Sequence, residues 1–221
     1  MDFAVMFNTW KAALLQPGEA VFAGEQGKPH ATLTTALIWI VIGAVVAAVF
    51  GFLQGLLTVN TMGGMDAFFQ QADLPPEVAA QLSDMFSSGM MSGLLGAGSL
   101  MSIILVPVFF LISVGIYYLI ARLLGGTGDY GSYAYLIATF QAPITILNAI
   151  LALIPFLGGC IAFLLTLYGL VLTYYATKVA HGLTSGKAIA VVLIPVLVVL
   201  LLAGCVFFSA IGLIFSVMNQ G

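Results

Sequence analysis

The side chains that could carry acid–base or metal chemistry are few and far apart in this chain. His30 and His181 are the only histidines, and Cys160 and Cys205 are the only cysteines. Neither histidine has a catalytic partner at a useful spacing, so we interpret both as polar caps at the membrane interface. The cysteines lie in apolar runs without metal-ligand spacing and are interpreted as small core residues, with a disulfide between them left open. The sequence therefore predicts no catalytic residue, no metal site and no cofactor.

Polar side chains inside the long uncharged stretch 130–177, in a predicted membrane-spanning helix at residues 133–153, are the next candidates. Gln141 and Asn148 are seven residues apart and share a helical face, with Thr145 between them. Such groups need hydrogen-bond partners in hydrocarbon. They predict either hydrogen bonds to neighbouring helices or a polar path for a small solute through the bundle. No Asp or Glu lies in the middle of a predicted span, so cation-coupled transport lacks its usual carboxylate.

Arg122 lies at the end of an otherwise apolar helix, seven residues before Asp129. Its long side chain can extend to the headgroup region, pair with Asp129 or bind the headgroup of an anionic lipid. The simplest interpretation is extension to the membrane surface, and the other two remain open.

Composition places all these residues in a membrane protein. The chain is 62% hydrophobic and only 6% charged, whereas soluble proteins have about 25% charged residues. Four long stretches contain no Asp, Glu, Lys or Arg, namely residues 29–65, 85–121, 130–177 and 188–221. Each is long enough to cross a bilayer, and the third is long enough to cross twice. The net charge of −3 and the absence of a basic run argue against a nucleic-acid partner.

The sequence predicts an all-α fold, a polytopic bundle of five transmembrane helices that forms a single membrane domain over residues 1–221. The predicted spans are residues 33–57, 100–124, 133–153, 159–179 and 188–215. Residues 1–30 are a lead-in with an amphipathic helix at Phe3–Leu15, which we expect to lie in the membrane interface, to pack against the ends of the spans, or both. Residues 58–99 are an external segment with a second amphipathic helix near Pro76–Phe86.

Small residues recur every fourth position in the first predicted span, at Gly43, Ala47, Gly51 and Gly55. A stripe of small side chains lets another helix approach closely. We predict that this face packs against neighbouring spans or against a second copy of the chain.

The basic residues predict the orientation. All five of them, Lys11, Lys28, Arg122, Lys178 and Lys187, fall on one side of a five-span topology, and the acidic segment 58–99 falls on the other side. Because Lys and Arg favour cytoplasmic loops, the N-terminus is predicted to be cytoplasmic and the C-terminus external, in the plasma or inner membrane.

Several short motifs follow one another along the chain. They are Leu14-Leu15-Gln16-Pro17 after Trp10, ARLLGGTGDY at 121–130, Ala142-Pro143, IPFLG at 154–158 and HGLTSGKA at 181–188. In order and spacing they resemble the motifs of the Yip domain family, named for proteins that interact with Ypt/Rab GTPases. The family-motif positions are Trp10, Pro17, Gly125, Gly126, Tyr130, Pro143, Pro155, Gly158, His181, Gly186 and Lys187. The resemblance implies five spans with a cytoplasmic N-terminus.

Eukaryotic members of that family act in vesicle trafficking and bind Rab GTPases through a long N-terminal region. The lead-in here is residues 1–30, and the eukaryotic DLxGP motif has no counterpart, so we expect a prokaryotic-type member without Rab-type GTPase binding. We predict a non-enzymatic scaffold that organises the membrane or recruits partners. The alternative is a small-solute channel or transporter lined by Gln141, Thr145 and Asn148. The expected partners are membrane lipids, further copies of the chain or other membrane proteins.

Overall fold

The computed structural model describes residues 2–61, 77–78, 88–154 and 156–218. Pro155 and most of the predicted helix near Pro76–Phe86 lie outside the described residues. All regular structure in the described ranges is helical. The helices are α1 (Phe3–Leu15), α2 (Glu19–Gln26), α3 (Leu33–Thr61), α4 (Ser88–Leu123), α5 (Tyr130–Leu151), α6 (Leu157–His181) and α7 (Ser185–Met218).

Five of these helices are long and apolar enough to cross a bilayer. The candidate spans are Leu33–Leu57, Gly96–Leu123, Tyr130–Leu151, Leu157–His181 and Ser185–Cys205. The predicted all-α bundle with five membrane-crossing helices is therefore confirmed.

Helix α5 forms the centre of the bundle. Its residues from Tyr133 to Phe140 are all buried, and α3 and α6 pack on it from two sides. Helices α4 and α7 lie at the periphery and expose large apolar side chains, on α4 between Leu100 and Leu123 and on α7 between Ile189 and Leu202. Lipid tails are as apolar as Leu, so these exposed side chains are compatible with a bilayer. Association of the helices therefore depends on close packing and polar contacts rather than on the hydrophobic effect.

The small-residue stripe of α3 contributes to that packing unevenly. A Cβ atom on Gly43 would lie 3.1 Å from the carbonyl oxygen of Ala142 in α5, so the two helices approach closely there. Ala47, Gly51 and Gly55 are half-buried, and a Cβ on Gly51 would have no atom within 4 Å. The close approach is thus concentrated at the Gly43 end of the stripe.

Helices α1 and α2, which we call the collar, pack on one end of the bundle. Asp2 caps α1 by accepting a hydrogen bond from the backbone N–H of Ala4 at 2.9 Å. The sequence did not indicate α2, whose Phe22 is completely buried and meets the ring of Phe140 edge-on, with ring centroids 6.1 Å apart. The Tyr168 hydroxyl of α6 donates to a carbonyl near the end of α1 at 2.6 Å. The collar is therefore an integral part of the fold.

Candidate functional site

A buried carboxylate joins the collar to the central helix. Glu25 of α2 is only 6% exposed. Its Oε2 atom accepts hydrogen bonds from the Tyr135 hydroxyl at 3.0 Å and the Thr9 hydroxyl at 3.3 Å, and its Oε1 atom lies 2.5 Å from Lys28 Nζ. Buried charges persist where they are paired and hydrogen-bonded, as this one is. Glu25 thereby connects α1, α2 and α5 through one side chain.

Aromatic rings surround the Glu25 contacts. The Tyr135 ring lies 5.2 Å from Trp39 and 5.7 Å from His30, measured between centroids, and Trp10 meets Trp39 edge-on at 6.0 Å. The indole nitrogens of both tryptophans and Nε2 of His30 are buried without a hydrogen-bond partner among the described residues. The rings pack beside the polar contacts, in which Glu25 and Tyr135 are buried.

Two loops pack on each other at the same end of the bundle, beside the collar. One joins α4 to α5 and the other joins α6 to α7. The backbone N–H of Thr127 donates to the carbonyl of His181 at 3.2 Å. A Cβ atom on Gly126 would lie 2.8 Å from Cβ of His181, and one on Gly128 would overlap the carbonyl of Ala180. These glycines are required by space, which explains the glycine-rich turn.

His181 lies under these loops and is only 1% exposed. Its ring is 4.8 Å from that of Tyr133 and 5.4 Å from that of Tyr118, and neither ring nitrogen has a hydrogen-bond partner among the described residues. No group of three or more His, Cys, Asp or Glu side chains close enough to hold a metal occurs in the described part of the chain. His181 acts in this geometry as a packing element.

Arg122 and Asp129 have separate partners. The Arg122 guanidinium lies over the ring of Tyr118, with Cζ 5.9 Å from the centroid. Asp129 caps α5 by accepting from the backbone N–H of Ser132 at 2.9 Å, and this hydrogen bond holds the pKa of the Asp129 carboxyl below its usual range. Lys187 lies near Gly125, with its Nζ 3.6 Å from the position of a Cβ atom there.

The predicted polar stripe of α5 is divided between two environments. Gln141 and Thr145 line a groove beside α4, and the Thr145 hydroxyl donates to the carbonyl of Gln141 at 2.8 Å. Asn148 lies outside the lining of this groove, and its Oδ1 atom is buried without a hydrogen-bond partner among the described residues. The structure therefore brings two of the three residues together.

The remaining family-motif positions differ in how closely they are packed. The Tyr130 hydroxyl donates to the carbonyl of Leu111 at 2.9 Å, and Pro143 is buried within α5. A Cβ on Gly158 would overlap the backbone of Leu151, whereas one on Gly186 would have no atom within 4 Å. Pro17 is exposed between α1 and α2.

Comparison with models of known protein families identifies the family of this chain. The model of the Yip1 domain matches residues 11–207 of the chain. The chain belongs to the Yip1 domain family. This confirms the resemblance found in the sequence, and Yip1 domain proteins are in general non-enzymatic membrane proteins. Searches of curated proteins and of solved structures found no significant match.

The region that matches the Yip1 domain includes both packed loops and Glu25 with its partners Lys28 and Tyr135, whereas Thr9 precedes it. Sequence reasoning missed Glu25, Tyr135 and Thr9, since none of them belongs to a motif. The sequence of this Yip1 domain did contain one indication of these contacts. Tyr133 and Tyr135 carry hydroxyls inside a predicted span, and buried hydroxyls need hydrogen-bond partners.

Proposed function

We propose that this Yip1 domain protein is a non-enzymatic scaffold that organises the bilayer, and recruits partners, at the end that carries the collar. One observation carries the proposal. Helix α1 buries Met6, Trp10 and Ala13 in the bundle and still presents Phe3 and Phe7 outward, 68% and 65% exposed. A helix fixed by one apolar face and open on another suits insertion into the membrane interface.

Charge at the same end supports the proposal. Lys28 pairs with Glu25 and Lys178 pairs with Glu19, whereas Lys11, Arg122 and Lys187 form no ion pair with any described residue. Lys11 lies four residues after Phe7 and is exposed, as Phe7 is. Uncompensated basic side chains next to an apolar face favour the anionic cytoplasmic leaflet of a plasma or inner membrane. We therefore propose that the N-terminus is cytoplasmic and the C-terminus external.

We expect the purified protein, reconstituted in vesicles containing anionic lipid, to narrow or tubulate them, because the fixed apolar face of α1 adds volume to one leaflet. Replacing Phe3 and Phe7 with alanine should reduce this deformation by about half or more, since most of the inserted apolar area is then lost. Electron microscopy of vesicle diameters is the measurement.

The control is Phe163→Ala, which removes a phenylalanine of similar exposure, 63%, from α6 within a span. It should deform vesicles as the wild type does. An unchanged vesicle shape with the wild-type protein, or equal deformation by the double variant, contradicts the role of α1.

A small-solute channel or transporter is the second candidate function. It is favoured by the groove in which Gln141 and Thr145 lie, and by the Oδ1 atom of Asn148, which has no hydrogen-bond partner in the described part of the chain. Solute flux into proteoliposomes that Gln141→Leu abolishes, while vesicle shape stays constant, would favour this candidate over the scaffold.

A further inference from the structure

The groove between α4 and α5 has the length of a membrane crossing. Its volume is about 640 Å³, and along α4 its lining runs from Gly98 to Tyr117. At ~1.5 Å per residue these positions lie ~28 Å apart, close to the ~30 Å thickness of the hydrocarbon core. An occupant would therefore lie along the membrane normal over most of the bilayer.

Three polar side chains in this groove have no hydrogen-bond partner among the described residues. They are Gln141 on α5 and, one helical turn apart on α4, Ser113 and Tyr117. Other hydroxyls that line the groove are satisfied within their own helices, as Ser102 is by the carbonyl of Ser99 at 2.7 Å. An unpaired amide or hydroxyl in hydrocarbon is unfavourable, so the occupant should carry hydrogen-bonding groups at this depth.

A helix satisfies these requirements better than a lipid does. Gln141 lies near the middle of α5, whereas the polar groups of a phospholipid lie at the membrane surface. Gly98 and Ser102 lie four residues apart on the α4 wall of the groove. Because both residues are small, another helix can approach closely there. On the same wall of the groove, Met101 and Phe109 are 55% and 61% exposed and would contact an incoming helix.

We propose that the groove receives α4 from a second copy of this chain, in a two-fold symmetric dimer. In such an interface each contact occurs twice, so Gln141 of each copy faces Ser113 of the other. A glutamine amide both donates and accepts, and a serine hydroxyl does the same, which makes the pair complementary. The inference deepens the proposed scaffold function and depends on it, because it names the partner as the chain itself.

The first test is energy transfer between donor-labelled and acceptor-labelled protein in liposomes, with dyes on the N-terminal amine, at decreasing protein-to-lipid ratio. Gly98→Leu should weaken association about tenfold or more, since leucine fills the groove. Gly115→Leu is the matched control. Both glycines lie on α4 and have no atom within 4 Å of a Cβ position, but Gly115 does not line the groove.

Gln141→Leu should weaken association about five- to tenfold, because two symmetric hydrogen bonds are lost. Wild-type energy transfer that persists on dilution and is lost in Gly98→Leu but kept in Gly115→Leu supports the dimer. Equal energy transfer in both leucine variants, or none in the wild type, overturns it.

The second test probes geometry. In a background where Cys160 and Cys205 are replaced by serine, a Ser113→Cys chain is mixed with a Gln141→Cys chain in liposomes. The mixture should give more disulfide-linked dimer under mild oxidation than either chain alone, because reciprocal contact places the two sulfurs within reach. No preference for the mixed pair overturns the proposed register. A monomer that retains a lipid and still deforms vesicles overturns the dimer and leaves the scaffold function standing.

Discussion

Replacing Glu25 with alanine is expected to lower the free energy of unfolding by about 3 kcal/mol, because the buried hydroxyls of Tyr135 and Thr9 lose their shared acceptor. Both hydroxyls are almost completely buried, so each would bear a desolvation cost without its acceptor. Reversible unfolding in mixed micelles with increasing dodecyl sulfate is the measurement. Fluorescence is a suitable signal, since Trp10 and Trp39 are the only tryptophans and lie against this cluster.

The matched control is Glu19→Ala. Both glutamates belong to α2, and each has a lysine Nζ at 2.5 Å, but the Glu19 side chain is 52% exposed whereas that of Glu25 is 7% exposed. An exposed pair is screened by water and salt, so losing it should change stability much less. Equal effects of the two substitutions would show that burial of the Glu25 carboxylate does not fix the collar.

A double-mutant cycle separates the loss of the Tyr135–Glu25 hydrogen bond from the other consequences of Glu25→Ala. Tyr135→Phe should cost about 1–3 kcal/mol, since a buried hydrogen bond to a charged group is lost. If the two side chains stabilise the protein through their contact, the double variant should cost less than the two single variants together. Additive losses would mean that Glu25 and Tyr135 act independently.

The five membrane-crossing helices could be predicted because they depend on composition along the chain. Long runs without charge can form only membrane spans in a protein with so few charged residues, whatever their tertiary contacts are. Family membership could also be predicted, because the glycine motifs near Gly125 and His181 are local in sequence.

The Glu25 contacts could not be predicted in this way. Glu25 and Tyr135 are 110 residues apart, and no periodicity connects them. Their pairing depends on α2, a helix of eight residues whose packing the sequence did not indicate. Likewise, Gly43 and Gly51 look equivalent in the small-residue stripe, and only the distance to α5 distinguishes them.

Gly128→Ala is the second substitution for which we expect a large effect. A Cβ atom there would overlap the carbonyl oxygen of Ala180 and lie 2.8 Å from its carbon and 2.9 Å from Nδ1 of His181. The obstacle is mainly backbone, so no side-chain rotation relieves it. The α4–α5 loop would have to move away from α6 and lose the hydrogen bond from Thr127 to His181. We expect a loss of about 3 kcal/mol in the free energy of unfolding, as for severe overpacking.

Gly186→Ala is the control, because Gly186 belongs to the facing motif and has open space around its Cβ position. Its stability should stay the same or rise slightly, since alanine favours a helix more than glycine does. The comparison distinguishes two explanations of a glycine-rich motif. If backbone flexibility were the requirement, both alanines would affect function while changing stability little. If close packing is the requirement, only Gly128→Ala unfolds more easily, and the motif is a contact between two loops that fixes the collar end of the bundle.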